Sequence, residues 1–130
     1  MSATNCSQVR IKPQARARVT NGSELLPDVD GRSTWARRAR DLIELHIADL
    51  GGSDAISEAE RSIVRRAAVL ATELERMEKD FALAGSASPA ALDLYQRTAN
   101  SLRRLLESLG LKRRPRDVTD LHSYLKERAP

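Results

Sequence analysis

The chain has 130 residues, of which 41% are hydrophobic and 31% are charged, and this length is typical of a single domain with a modest core. Its single cysteine excludes an intrachain disulfide framework and fits a reducing cytosol, and no stretch approaches the ~20 apolar residues of a membrane span. The net charge of +4 is unevenly distributed: residues 1–40 carry eight Lys/Arg and three Asp/Glu, residues 41–96 five and eleven, and residues 97–130 nine and four.

Residues 1–32 are predicted to form a disordered, basic arm. They mix polar residues with proline and glycine and show neither the helical nor the strand period. The folded domain is therefore predicted over residues 33–130. It contains few aromatic residues and no β-branched runs, so a core of Leu, Ile, Val and Ala predicts an all-α fold.

The first helix is predicted over residues 33–50, between a capping serine and two glycines. Trp35 lies on its apolar stripe and is interpreted as a subunit contact rather than a nucleic-acid contact. Three arginines near the helix start, Arg37, Arg38 and Arg40, occupy positions where the helix dipole disfavours cations by a few tenths of a kcal/mol. The sequence alone does not explain them.

Two longer helices are predicted over residues 57–84 and 89–109. Ser57 and Glu60 form a capping-box pattern at the start of the first, and Pro89 fits the first turn of the second. Apolar residues repeat at alternating intervals of three and four in both, which predicts an antiparallel, coiled-coil-like hairpin. The predicted seam consists of Ile63, Ala67, Leu70, Leu74, Met77, Phe81 and Ala84 on one helix and Leu92, Tyr95, Ala99, Leu102, Leu106 and Leu109 on the other.

The apolar surface of the hairpin is wider than a two-helix seam. Val64 and Ala68 flank it on the first helix, and Leu94 and Leu105 flank it on the second. A third helix or a second copy of the chain must cover this flank, so we expect a homo-oligomer. Seven residues are predicted to support assembly: Trp35, Leu70, Leu74, Met77, Phe81, Leu94 and Leu105.

A cationic run follows the hairpin, and a short helix is predicted after it over residues 119–128. The helix is too short to be stable alone and should dock on the hairpin or on another protein. The run either binds nucleic-acid phosphates or complements the dipole of the preceding helix. The predicted DNA-binding residues are Lys112, Arg113, Arg114 and Arg116, together with Arg10, Lys12, Arg16 and Arg18 in the arm.

No catalytic or metal-binding pattern is present in the sequence. His46 and His122 are isolated from any cluster of cysteines or acids at metal-ligand spacing. The chain also contains neither a nucleophile elbow nor a phosphate-binding glycine loop. We therefore predict no enzyme activity, no metal and no cofactor.

The stretch from residue 73 to 117, "ELERMEKDFALAGSASPAALDLYQRTANSLRRLLESLGLKRRPRD", resembles the C-terminal half of phage terminase small subunits. That family often shows a Leu/Glu-rich helix end, a turn, a polar helix with asparagine, a Leu/Arg-rich segment, "LGL" and a basic end. The matching residues are Tyr95, Asn100, Leu102, Arg104, Leu105, Leu106, Leu109, Gly110, Leu111 and Arg116.

The resemblance implies a non-enzymatic DNA-packaging component in the cytoplasm of a bacterial host. Its helical hairpins would assemble an oligomeric ring, and other parts would contact double-stranded viral DNA and the terminase large subunit. The chain departs from the family because it has no convincing N-terminal helix-turn-helix, so backbone contact is expected rather than sequence-specific recognition. The alternative is a helical protein-binding adaptor that does not bind nucleic acid.

Overall fold

The computed structural model describes residues 25–26, 28–115 and 121–128, apart from the side chain of Ser123. It contains helices α1 (Thr34–Asp49), α2 (Glu58–Ala84), α3 (Pro89–Leu109) and α4 (Leu121–Arg128), with a short 3-10 turn at Ser53–Ala55. No β-strand occurs among these residues, so the predicted all-α class is confirmed. The predicted arm lies outside the described residues as far as position 24.

Serine side chains cap the first three helices. The hydroxyl of Ser33 accepts from the backbone N–H of Ala36 at 3.1 Å, and Ser88 caps α3 in the same way. At the start of α2, Ser57 Oγ accepts from the N–H of Glu60, whose carboxylate accepts in turn from the N–H of Ser57. These local bonds satisfy donors that a helix start leaves free, which is why the helices begin where the sequence places them.

Helix α2 is the central element, and α1 and α3 both pack against it. Trp35, at the start of α1, reaches Glu73 just past the middle of α2, whereas Leu50, after the end of α1, packs on Val64 near the start of α2. Helix α1 is therefore antiparallel to α2. Helix α3 is also antiparallel to α2, since its Tyr95 contacts Phe81 and its Leu109 joins the cluster around Val64.

The chain itself covers part of the flank that the sequence predicts to need a partner. Val64 and Ala68, which flank the seam on α2, are fully buried within the single chain. On α3, in contrast, Leu109 is the one buried residue, and Leu94 remains 52% exposed. Of the four flank residues, Leu94 on α3 is therefore the one that remains exposed, and Leu105 is half-buried.

The far end of the hairpin extends past α1. With 16 residues α1 is about 24 Å long, and with 27 residues α2 is about 40 Å long. Because α1 begins beside Glu73, the last turns of α2 extend past the start of α1, and there Phe81 packs on Tyr95 of α3. Leu92 was predicted in the seam but is 45% exposed, because it lies in the first turn of α3, where the facing helix ends. In the described part of the chain, no helix is long and apolar enough to span a bilayer.

Candidate nucleic-acid interface and assembly surface

Residues 111–115, which we name the cationic loop, run across the end of the bundle where α1 and α3 end and α2 begins. The backbone N–H of Arg114 donates to the carbonyl oxygen of Asp49, the last residue of α1, at 2.7 Å. Beside it, Gly51 has a φ of +104°, and a Cβ there would lie 3.7 Å from the carbonyl oxygen of Pro115. The loop is therefore held against the turn that follows α1.

The side chain of Arg114 connects this loop to the other two helices. Its Nη2 donates to Glu60 Oε2 at 2.8 Å, in the first turn of α2, and to the carbonyl oxygen of Leu109 at 3.1 Å, at the end of α3. The hydrogen bond from Arg114 is the main cause that lowers the pKa of Glu60, and the N–H of Ser57 lowers it further. Arg114 thus contacts three helix ends. The sequence predicts that Arg114 is free to bind phosphate, but its guanidinium is already hydrogen-bonded to Glu60 and to the Leu109 carbonyl oxygen.

The other two described cations of the loop face solvent. Arg113 Nε lies 3.5 Å from Asp49 Oδ1, but its side chain is 78% exposed. An exposed ion pair of this kind contributes only about 0–1 kcal/mol, so a phosphate can compete with it. Lys112 is exposed as well. The remaining predicted DNA contacts, Arg116, Arg10, Lys12, Arg16 and Arg18, lie outside the described residues.

An open groove of about 700 Å³ lies beside the contact between the cationic loop and the end of α1. Glu44 and Ile47 line one wall, and Arg113, Arg114 and Pro115 line the other. The groove is lined by charges of both signs, because Glu44 lies on it with Arg113 and Arg114. Each arginine also has a carboxylate nearby, Asp49 for Arg113 and Glu60 for Arg114. A phosphate is therefore expected on the outer side of the loop, where Lys112 and Arg113 face solvent, rather than inside the groove.

The structure gives partners within the chain to Arg38, which the sequence left unexplained, and to Trp35, which the sequence predicts to be a subunit contact. Arg38 donates two hydrogen bonds to Glu75 on α2, at 2.9 and 2.8 Å, and this pairing lowers the pKa of the Glu75 carboxyl. Trp35 Nε1 donates to Glu73 Oε1 at 3.2 Å. Both residues therefore fasten α1 to α2 within one chain, which the sequence could not indicate because the partners are 37 and 38 positions apart.

The residues predicted to support assembly fall into three groups. Leu74 and Met77 are buried in the interior of the single chain, where a second copy cannot reach them unless the helices separate. Leu94 and Leu105 lie with Thr98 on one side of α3 at intervals of four and seven, and we name these three residues the α3 flank. The other three predicted residues, Trp35, Leu70 and Phe81, are half-buried, and Phe81 packs edge to face on Tyr95 with 5.7 Å between ring centres.

Helix α4 presents a second apolar surface, which is exposed among the described residues. Leu121, Tyr124 and Leu125 lie on one side of it at intervals of three and one, and all three are exposed. The guanidinium of Arg128 lies 5.1 Å from the centre of the Tyr124 ring. Eight residues are too few for a helix that is stable alone, so the prediction that α4 docks on another surface stands as a prediction.

Within the described ranges, no group of three or more histidine, cysteine or acidic side chains is placed to hold a metal ion. His46 is half-buried on α1 and His122 is exposed on α4. Comparison of the chain with protein families, curated proteins and solved structures finds no match.

Proposed function

We propose that the chain is a non-enzymatic adaptor for genome packaging, similar in role to a phage terminase small subunit. In this proposal it forms a homo-oligomer, such as a ring, through its helical hairpin. It contacts the backbone of double-stranded DNA through the cationic loop and connects the DNA to the terminase large subunit in the bacterial cytoplasm. The observation that carries the proposal is the exposure of Lys112 and Arg113 on a loop that Arg114 holds against three helix ends.

A cationic loop at the end of a rigid bundle suits binding to the DNA backbone. Lys and Arg bind phosphates mainly because they release the counterions that DNA condenses, and this needs no contact with a base. Since the loop is already bonded to the bundle, little further ordering is needed when it meets a phosphate. Arg116, which follows the cationic loop in sequence, and the predicted arm residues Arg10, Lys12, Arg16 and Arg18 would add contacts of the same kind.

A salt titration tests this proposal. We expect the affinity for a short DNA duplex to fall as salt rises, and the slope of log affinity against log salt to flatten by about 0.9 for each phosphate contact removed. The variants Lys112→Ala and Arg113→Ala should each flatten it by about this amount, as measured by fluorescence anisotropy.

The matched control is Lys79→Ala, which removes an exposed cation from the far half of α2. Its slope should equal that of the wild type. If the double variant Lys112→Ala/Arg113→Ala keeps both the wild-type affinity and the wild-type slope, the proposed contact is wrong.

A second function, a helical adaptor that binds only proteins, is favoured by one observation. Leu94 on the α3 flank and the apolar side of α4 are both exposed on one chain, and such surfaces are typical of protein contacts. The same titration separates the two functions. An oligomer with no salt-dependent DNA affinity would favour the protein adaptor.

A further inference from the structure

We propose that Arg114 and Glu60 form a clasp that positions the cationic loop for phosphate binding, so that Glu60, although negatively charged, strengthens DNA binding. In this role Arg114 is a positioning residue, and Lys112 and Arg113 make the contacts. The inference rests on the proposed function, because it concerns how the same loop meets DNA.

The geometry of Arg114 supports this assignment. Its backbone N–H is bonded to Asp49, and one terminal nitrogen of its guanidinium is bonded to both Glu60 and the Leu109 carbonyl. The three partners belong to three helices that converge at this end of the bundle. A loop that is tied to all three presents Lys112 and Arg113 in one arrangement.

Glu60 is in turn fixed by its own helix. It belongs to the capping box of α2, where its carboxylate accepts from the N–H of Ser57 while its other oxygen accepts from Arg114. The helix start therefore orients the carboxylate before Arg114 binds it. Without this ion pair the loop loses one of its three links to the bundle, and ordering about one backbone residue when DNA binds corresponds to about a tenfold loss of affinity.

The substitution Glu60→Gln separates this account from simple electrostatics. Glutamine also serves at this position of a capping box, so the helix start is kept while the ion pair with Arg114 is lost. Removal of a negative charge near a phosphate site should strengthen binding if only charge matters. The clasp predicts the opposite effect, which is an affinity for DNA about tenfold weaker. The salt slope should stay unchanged, because no cation is removed.

Glu58→Gln is the matched control. Glu58 lies in the same turn of α2, is 91% exposed and is paired only with Arg61, at 3.4 Å, in the described structure. The substitution Glu58→Gln removes the same charge without changing the contacts of Arg114 and Glu60, so the affinity for DNA should stay equal or rise slightly. Amide hydrogen exchange gives a readout that needs no DNA: the N–H of Arg114 should lose protection in Glu60→Gln and keep it in Glu58→Gln.

The outcomes are distinct. Weaker binding and faster Arg114 exchange in Glu60→Gln alone, with wild-type helicity, would support the clasp. If the wild type binds DNA in a salt-dependent way and Glu60→Gln binds as tightly as Glu58→Gln, the clasp is wrong and the proposed function stands. If the wild type shows no salt-dependent affinity, the proposed function fails and this inference fails with it.

Discussion

Leu74→Glu is expected to unfold the chain. Leu74 is 6% exposed in the middle of α2, within the seam of the hairpin. Truncation of a buried leucine costs about 2–5 kcal/mol, and burial of an unpaired carboxylate adds several kcal/mol more. Domains have only about 5–15 kcal/mol of stability, so the substitution should remove most of it. Circular dichroism should show lost helicity, and light scattering should show loss of the wild-type mass.

Leu83→Glu is the control for this substitution. It makes the same change on the same helix, but Leu83 is 77% exposed. Surface changes of this kind usually stay within about 0.5 kcal/mol, so Leu83→Glu should keep the wild-type helicity. If Leu74→Glu retained both helicity and mass, the hairpin would not be the element that holds the chain together.

Ala39→Leu is expected to destabilise the chain by separating α1 from α2. Ala36 and Ala39 are fully buried on α1, and their small side chains let the helix lie close to α2. Extra methylene groups in such a contact force neighbouring side chains or the backbone to move, which costs about 1–3 kcal/mol. The expected result is a lower midpoint of urea unfolding with little change in slope.

Ala48→Leu provides the matched comparison, because Ala48 is an exposed alanine of the same helix. It should shift the free energy of unfolding by no more than about 0.5 kcal/mol. Equal midpoints for the two variants would mean that α1 is not closely packed on the hairpin.

Local sequence signals were sufficient to predict the helices. Ser57 with Glu60 and Ser88 with Pro89 start two helices through bonds within one turn, and Gly85 ends α2 with a φ of +72°. Such signals involve neighbouring residues, so they can be recognised before the fold is known. The alternating spacing of apolar residues predicted the hairpin for the same reason.

The partners of the arginines could not be predicted, because they depend on how the helices pack. Arg114 and Glu60 are 54 positions apart, and Arg38 and Glu75 are 37 apart. From the sequence, Arg114 was one of several equivalent cations after a glycine. Only the convergence of three helix ends distinguishes it from Lys112 and Arg113. The division between buried Val64 and exposed Leu94 likewise depends on the position of α1.

The central claim, that copies of this chain assemble and bind DNA together, is tested most directly by native mass measurement with and without a short DNA duplex. The chain has a mass of 14.4 kDa. We expect a species at a multiple of this mass that gains the mass of the duplex when DNA is added. A species of 14.4 kDa that is unchanged by DNA would contradict the account.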